Sequence, residues 1–445
     1  MKISIKYISI VLLAGSLFSC DVLDQEPQQS ITPGVAFTNE AGANAAVNGM
    51  YSRMQEQGYY GSDFQYGADS YTDISIQNGF FVEFIETDAK NIPTSNDLIE
   101  DFWLDAYQAI NTANEIISNV PNMTDENFTQ EERDDVVGQA RFVRGLTYLN
   151  LLTLFGEHDD TGSAFGLPLV TQSTGGDFAN VENIPRSSVQ ATYDQIIADL
   201  VEAERLLPDS DRDYNAQKAA AQAILAKTYL FLGDYANALA KATEVINNPS
   251  FGLNPSYTDI FFSDATEESI LELEFNSLDG SSLALFTIRR NEVLPDPALV
   301  ASFDDADVRR SLIAPVDGFV GERFIKAEDF ANDANPAYII RMAEIYLISA
   351  EAKFFQGDED GALADLNAVH TRAGLAAYAD ATDFVNKLAD EYKWEFFAEG
   401  QRLGAITRLG LFEAIMGVEN FRRIYPIPFR EFNIAGNQMT QNPGY

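Results

Sequence analysis

The sequence predicts a mostly α-helical protein, an α-solenoid of about four interrupted helix pairs that carries loop-rich ligand-binding insertions and minor β-structure. Three observations lead there. Apolar residues recur every three or four positions through most of the chain, the period of a helix with one buried face. Two stretches, "AKTYLFLGDYANALAKATEVI" from Ala226 and "AEAKFFQGDEDGALADLNAVH" from Ala350, repeat a single pattern. Three long segments, Tyr59–Ser95, Phe251–Ala298 and Val316–Ala337, break the periodicity with Gly, Asn, Asp and aromatic residues. Connections beyond about 15 residues in a compact domain are usually functional or disordered.

Taken in order, the chain starts with Lys2 and Lys6, an apolar run from Ile8 to Phe18, then Ser19 and Cys20. That order is a secretory signal over residues 1–19; it is shorter than the roughly 20 apolar residues of a membrane span. Residues 21–38 lack a period and carry Pro27, Pro33 and Gly34, which reads as an extended leader. Asn39–Glu56 and Asp97–Ser118 form a first helix pair. A second joins Glu131–Leu154 to Ser188–Leu206. The first of these sits behind a Thr129–Glu132 capping box with Phe142, Leu146, Leu149, Leu152 and Phe155 on one face. Its partner sets Tyr193, Ile196, Ile197 and Leu200 opposite Asp194, Asp199, Glu202 and Arg205; Ser187–Gln190 is its capping box and Pro208 its stop.

The two repeated stretches supply the third and fourth pairs. In each, an Ala is followed seven residues on by Gly (Gly233, Gly357) and twelve on by a second Ala (Ala238, Ala362). Small residues at those spacings let antiparallel helices approach, and Gly-Asp makes the turn, the helix-turn-helix pattern of a tetratricopeptide repeat. Helices over Phe384–Glu399 and near Leu403–Ile415 close the chain, and Ile270–Phe275 suits a short strand.

Composition narrows the function. The formal net charge is −39; without Lys2 and Lys6, 27 basic residues face 68 acidic ones, or −41. Nucleic acid is excluded as a partner, because phosphate backbones need clustered Lys and Arg. Anionic lipid surfaces are disfavoured on the same ground. Cys20 is the one cysteine, so no disulfide forms within the chain, and the only histidines, His158 and His370, lie far apart. These leave a cysteine nucleophile or a His-based metal site without its parts. Nucleophile-elbow, phosphate-loop and zinc-helix motifs are missing from the sequence, so it predicts no enzyme and no cofactor. Asp304-Asp305-Ala306-Asp307 and His158-Asp159-Asp160 offer oxygen ligands for a structural Ca²⁺, but neither follows the twelve-residue loop pattern; solvated turns are the plainer reading.

Binding remains. A sugar has apolar C–H faces edged by hydroxyls, so its site needs flat aromatic rings beside Asn, Asp, Gln or Arg. The first long segment offers Tyr66, Asp69, Tyr71, Asp73, Gln77, Asn78, Phe80 and Phe81; the second offers Asn276, Phe286, Arg289 and Arg290. Phe80 and Phe81 stand out, since adjacent rings in a Gly/Asn-rich loop cannot easily both be buried. Loop packing is the alternative for each ring.

The tetrapeptide Leu17-Phe18-Ser19-Cys20 resembles the lipobox of bacterial lipoproteins, which makes Cys20 the acylated residue; a leftover structural thiol is the alternative. Two or more acyl chains, at about 0.8 kcal/mol per buried methylene, hold a protein stably to a membrane. The closing "YPIPFREFNIAGNQMTQNPGY" resembles the carboxyl terminus of SusD/RagB-type lipoproteins of Bacteroidetes, through Pro426-Ile427-Pro428, Glu431, Asn433 and Gln441 to Tyr445. "AINTANEIISNV", "QARFVRGLTYLNLLTLFG", "RMAEIYLISAEA", "LNAVHTRAGL" and "WEFFAEGQRLGAITRLG" are similar to family segments in the same order.

The resemblance implies a tetratricopeptide-like solenoid with a ligand-binding half built from the insertions. It implies a lipid-anchored location on the outer face of the outer membrane, with Asp21, Asp24 and Glu26 as the export signal. It also implies a non-catalytic partner to a TonB-dependent, SusC-like transporter, to which captured oligosaccharide is passed. The chain is short for the family, and its two tryptophans, Trp103 and Trp394, fall on helices. Phe and Tyr would therefore replace loop Trp as sugar platforms. Peptide capture, as in the RagB branch, and a plain scaffold for protein partners stay open as alternatives. The negative charge favours neutral over anionic polysaccharide.

Overall fold

The computed structural model describes residues 36–445 except 80, 174–182, 211–213, 264–265, 328, 330 and 435. Cys20, Phe80 and the signal segment lie outside the described residues. Helix α1 (Glu40–Gln55) starts at Asn39, whose side chain accepts from Gly42 N at 2.9 Å. It buries Ala43, Val47, Met50 and Met54, one helical face. The first insertion follows, with α2 (Asp63–Ser70), strand β1 (Ser75–Gln77) and α3 (Val82–Asp88). Next come α4 (Asp97–Asn119), α5 (Gln130–Phe155), α6 (Val189–Leu206), α7 (Lys218–Leu232) and α8 (Tyr235–Ile246). Short strands occupy the later insertions: β2 (Ser269–Leu273), β3 (Val293–Pro295), β4 (Ile313–Pro315), β5 (Glu322–Phe324) and β6 (Ala337–Arg341). Helices α9 (Met342–Phe355), α10 (Glu359–Arg372), α11 (Phe384–Glu395) and α12 (Arg402–Arg408) complete the set used below.

The four expected pairs form: α1 with α4, α5 with α6, α7 with α8, and α9 with α10. Contacts of α4 on α5, α6 on α7 and α8 on α9 stack them into a solenoid. Both repeat turns use glycine in the left-handed region, Gly233 at φ 77° and Gly357 at φ 85°, where a Cβ is strained. Asp234 and Asp358 then cap the next helix by accepting from Asn237 N and Gly361 N. Ala238 and Ala362 are fully buried where the helices meet. The capping box at Thr129 and Glu132 is present. The α6 cap is Ser188, which accepts from Ala191 N at 3.2 Å, one residue beyond the expected Ser187.

The first insertion is not an irregular loop. Helices α2 and α3 span 8 and 7 residues, about two turns each, too few for a 3.6-residue period to declare itself. Strand β2 overlaps the expected Ile270–Phe275 segment, starting one residue earlier and ending two earlier, and its antiparallel partner is β6, immediately before α9.

The last residues run back over the solenoid as a strap. Tyr425 N donates to Leu154 O at 2.6 Å, and buried Asn442 donates to Phe155 O and Tyr425 O at 2.9 and 2.6 Å. The Gln441 side chain exchanges two bonds with the Ile427 backbone, 2.7 and 2.9 Å, as a β-partner would. The motif that carried the family likeness is therefore a structural clasp.

Beneath the insertions lies a buried ionic network. Arg341 donates to Glu268, Glu395 and Glu399 at 2.7–2.9 Å. Arg372 joins Glu268 and Glu395, Arg309 joins Asp307, Glu391 and Glu395, and Lys326 joins Glu399. His370 Nδ1 lies 2.8 Å from Glu391. Burial alone would raise the Glu395 carboxyl, but Arg372, Arg341 and Arg309 hold it well below the usual range. The network ties Glu268, just before β2, to β6, α10 and α11.

Candidate functional site

The insertions converge. Strand β1 of the first pairs antiparallel with β3 of the second, Ser75 opposite Pro295 and Gln77 opposite Val293. Asn78 N extends the ribbon to Glu292 O at 3.0 Å, and Gln77 Nε2 donates to the Glu292 carboxylate at 2.5 Å. A Cβ at Gly79 would fall 1.5 Å from a Glu292 oxygen, so a larger residue there would displace the Glu292 carboxylate. Ser282 N reaches Gly61 O at 2.9 Å. The third segment joins through Ser281 N to Asp333 O at 2.7 Å and an Arg289–Asp333 ion pair.

At this junction is a cleft of about 210 Å³. Phe81, Phe84 and Phe286 wall one side: the Phe81 and Phe286 centroids are 6.2 Å apart at 84°, and Phe84 lies 5.2 Å from Phe286. The Arg290 guanidinium sits 5.0 Å above the Phe81 ring, a cation–π contact. Asp63, Glu83, Asp97 and Asp101 line the other side. Asp63 is buried, and although Ser62 Oγ donates to it at 2.7 Å, burial with help from Asp101 and Glu83 pushes its carboxyl to about 7. Burial, Asp97 and Glu100 push Asp101 up as well. Nearby Asp105 is pushed to about 6 by burial, then by Glu56 and Asp101. An ionised carboxylate repels an anionic guest and accepts hydrogen bonds from hydroxyls or a cation, whereas a carboxyl kept protonated by burial, as favoured at Asp63, can donate one.

Of the expected ligand residues, Phe81, Phe286 and Arg290 meet in this cleft. Gln77 and Asn78 belong to the adjoining ribbon; Asn78 is exposed. Arg289 is committed to Asp333. Exposed Asn276 caps its own turn, accepting from Leu278 N at 2.9 Å, and lines a different groove.

Three expectations are corrected. Asp69 has no exposed surface; its carboxyl faces the backbone of Gly400 and Ala398 and is pushed to about 8, chiefly by burial. Tyr71 is likewise buried, 5.2 Å from Tyr425 and 6.4 Å from Phe412. Asp73 is held by Arg402 in a bidentate pair at 2.7 and 2.8 Å; burial works upward on it, but Arg402 keeps its carboxyl low. Tyr66 is interior too. The first insertion folds onto residues 398–427, hundreds of positions away, and its own composition carries no sign of that. The reading from sequence missed Phe84 and Asp63. The three-residue step from Phe81, which precedes α3, to Phe84 was the one mark for Phe84, and nothing local marked Asp63.

Four carboxylates of the acidic clusters have partners within the chain. Asp304 accepts from Ala306 N at 2.8 Å, Asp307 binds Arg309, Asp159 binds Arg423 at 2.8 Å, and Asp160 accepts from Gly162 N at 2.9 Å.

A family described as "Starch-binding associating with outer membrane" matches residues 21–230, and the SusD family matches residues 315–418. The chain belongs to the SusD/RagB family. Among its relatives, SusD-like protein P2 of Formosa agariphila is 26% identical over 98% of this chain and 99% of its own length. The starch-binding protein SusD of Bacteroides thetaiotaomicron is 30% identical over 34% of this chain and 31% of its own. A SusD superfamily structure from Bacteroides thetaiotaomicron superposes with TM-score 0.80 at 24% identity, covering 91% of this chain and 100% of that one. A laminarin-binding SusD-like protein superposes with TM-score 0.78 at 22% identity, covering 92% and 100%. The SusD fold thus extends across the described body, and the aromatic cleft lies among its insertions.

Proposed function

We propose that this chain is a non-catalytic, lipid-anchored glycan-binding protein of the outer-membrane surface. In this reading Cys20 carries the lipid, and a TonB-dependent, SusC-like transporter receives the captured oligo- or polysaccharide. The observation that carries the reading is the convergence of the insertions on a cleft where the half-buried Phe81 ring and Arg290 lie beside polar groups, with Phe286 buried against Phe81. Relatives named for binding starch and laminarin support the ligand class. The carboxylate flank favours neutral chains over sulfated or uronate polymers, since like charges lose affinity.

Calorimetric titration of the purified protein against neutral oligosaccharides, alginate oligosaccharides and basic peptides tests it. Neutral glycan binding that weakens about tenfold, or about 1.4 kcal/mol, in Phe81→Ala and Arg290→Ala is the expected result. Binding confined to peptides would refute it. Peptide capture keeps one specific support: Arg290 over Phe81 demonstrates that a guanidinium fits beside these rings, and a basic side chain of a peptide would find the same carboxylates.

A further inference from the structure

Beside the aromatic cleft are two larger grooves, of about 440 and 480 Å³, that share Tyr214 and Glu274 as a common wall. We infer that together they form one elongated carbohydrate-binding surface, which takes the extended part of a neutral polysaccharide chain across Tyr214 and Phe262. This rests on the glycan reading of the preceding section and adds a second ligand surface to it.

Four features carry the assignment. Each groove has the volume of an ordinary ligand site, about 300–1,000 Å³. The Tyr214 and Phe262 rings in these walls keep 38% and 46% of their surface exposed, whereas most of the described aromatic side chains are buried or half-buried. An exposed ring is a flat apolar platform of the kind a pyranose C–H face covers. Around Tyr214 stand the amides of Asn48, Gln55 and Asn215, each with donors and an acceptor to match paired hydroxyls. Finally, the groove and the cleft already described are joined along the chain at the end of α1. Gln55 lines the groove and Gln57, two residues on, lines the cleft. Gln55 Nε2 also donates to Glu274 O at 2.5 Å, fixing the groove floor to the end of α1. Glu274 and Asp279 in the walls accept from hydroxyls while repelling an acidic polymer.

A chain long enough to reach both places gains affinity by making the second contact intramolecular; a trisaccharide does not. The test is titration of the full-length protein and its Tyr214→Ala, Phe262→Ala and Phe81→Ala variants. The probes are maltotriose, laminaritriose, mannotriose and xylotriose with their parent polymers starch, laminarin, mannan and xylan. The wild type is expected to bind one polymer at least about tenfold tighter than its trisaccharide. Tyr214→Ala and Phe262→Ala should erase that advantage and leave trisaccharide affinity intact, while Phe81→Ala weakens both. Both rings are exposed, so an unchanged melting temperature is expected to accompany the loss. Polymer binding by Tyr214→Ala and Phe262→Ala equal to wild type overturns the groove and leaves the glycan reading standing. A wild type that binds none of the eight probes overturns both.

Discussion

Replacing Arg341 by Met is the sharpest test of how the insertions are supported. The side chain is fully buried, and its guanidinium donates to Glu268, Glu395 and Glu399 side chains and to the Glu395 carbonyl. Methionine fills much of the volume but leaves three carboxylates sharing Arg372, Lys326 and Arg309. Removing one partner of a buried pair costs about 3–5 kcal/mol, because the other charge stays buried without compensation. With about 2.1 cal/mol/K of unfolding entropy per residue over roughly 400 residues, 4 kcal/mol lowers the melting temperature by about 5 °C. The sign of the pH dependence is fixed. Glu395 and Glu399 are held low in the folded wild type, so their stabilisation is present above the unfolded value of about 4.5 and lost below it. In the variant they lose the part of that depression that Arg341 supplies, while Arg372, Arg309 and Lys326 keep the rest. Its deficit is then full at pH 7.5 and narrows below about pH 5, as protons replace the missing cation. Differential scanning calorimetry across this range, with Arg341→Met/Glu399→Gln as a partial rescue, checks it. A melting temperature unchanged at pH 7.5, or a deficit that widens on acidification, would refute the argument.

Further expectations follow from single residues. Asp69 has its folded carboxyl raised to about 8, so the stability it contributes is lost as pH rises from about 4 to 8; Asp69→Asn should flatten urea midpoints between pH 5 and 9. His158 is held down to about 4, first by burial. The unfolded chain therefore takes the proton first and stability falls from about pH 6.5 to 4; His158→Leu should remove that limb in acid-denaturation curves. Gly357→Ala, at φ 85°, should cost about 1 kcal/mol in denaturant unfolding, with glycan affinity unchanged. Cys20→Ser should move the protein from the membrane pellet to the soluble fraction after ultracentrifugation, and a variant that stays in the pellet would remove the lipid anchor.

What could be read directly was the local physics. Apolar spacing marked α5 and α6, because a helix of that length repeats its buried face several times, and the Ala/Gly repeat marked α7 to α10. Gly233 and Gly357 marked the repeat turns, because a left-handed cap has few other occupants. The chemistry of Phe81, Phe286 and Arg290 was also legible, as rings and a cation in long aperiodic segments. Where each side chain ends up was not. Asp69, Tyr71 and Asp73 look like Gln77 and Asn78 in the sequence, yet a C-terminal segment folds over the first three and leaves Asn78 exposed. Tyr214 and Phe262 carry no local mark at all; only the packing of distant segments leaves them open to solvent. Residue spacing by itself determined the helices and the glycine turns of the two repeats, since those interactions act within a few positions along the chain. The tertiary structure decided which polar and aromatic groups face solvent, since burial is set by what packs across from a residue, however remote in sequence.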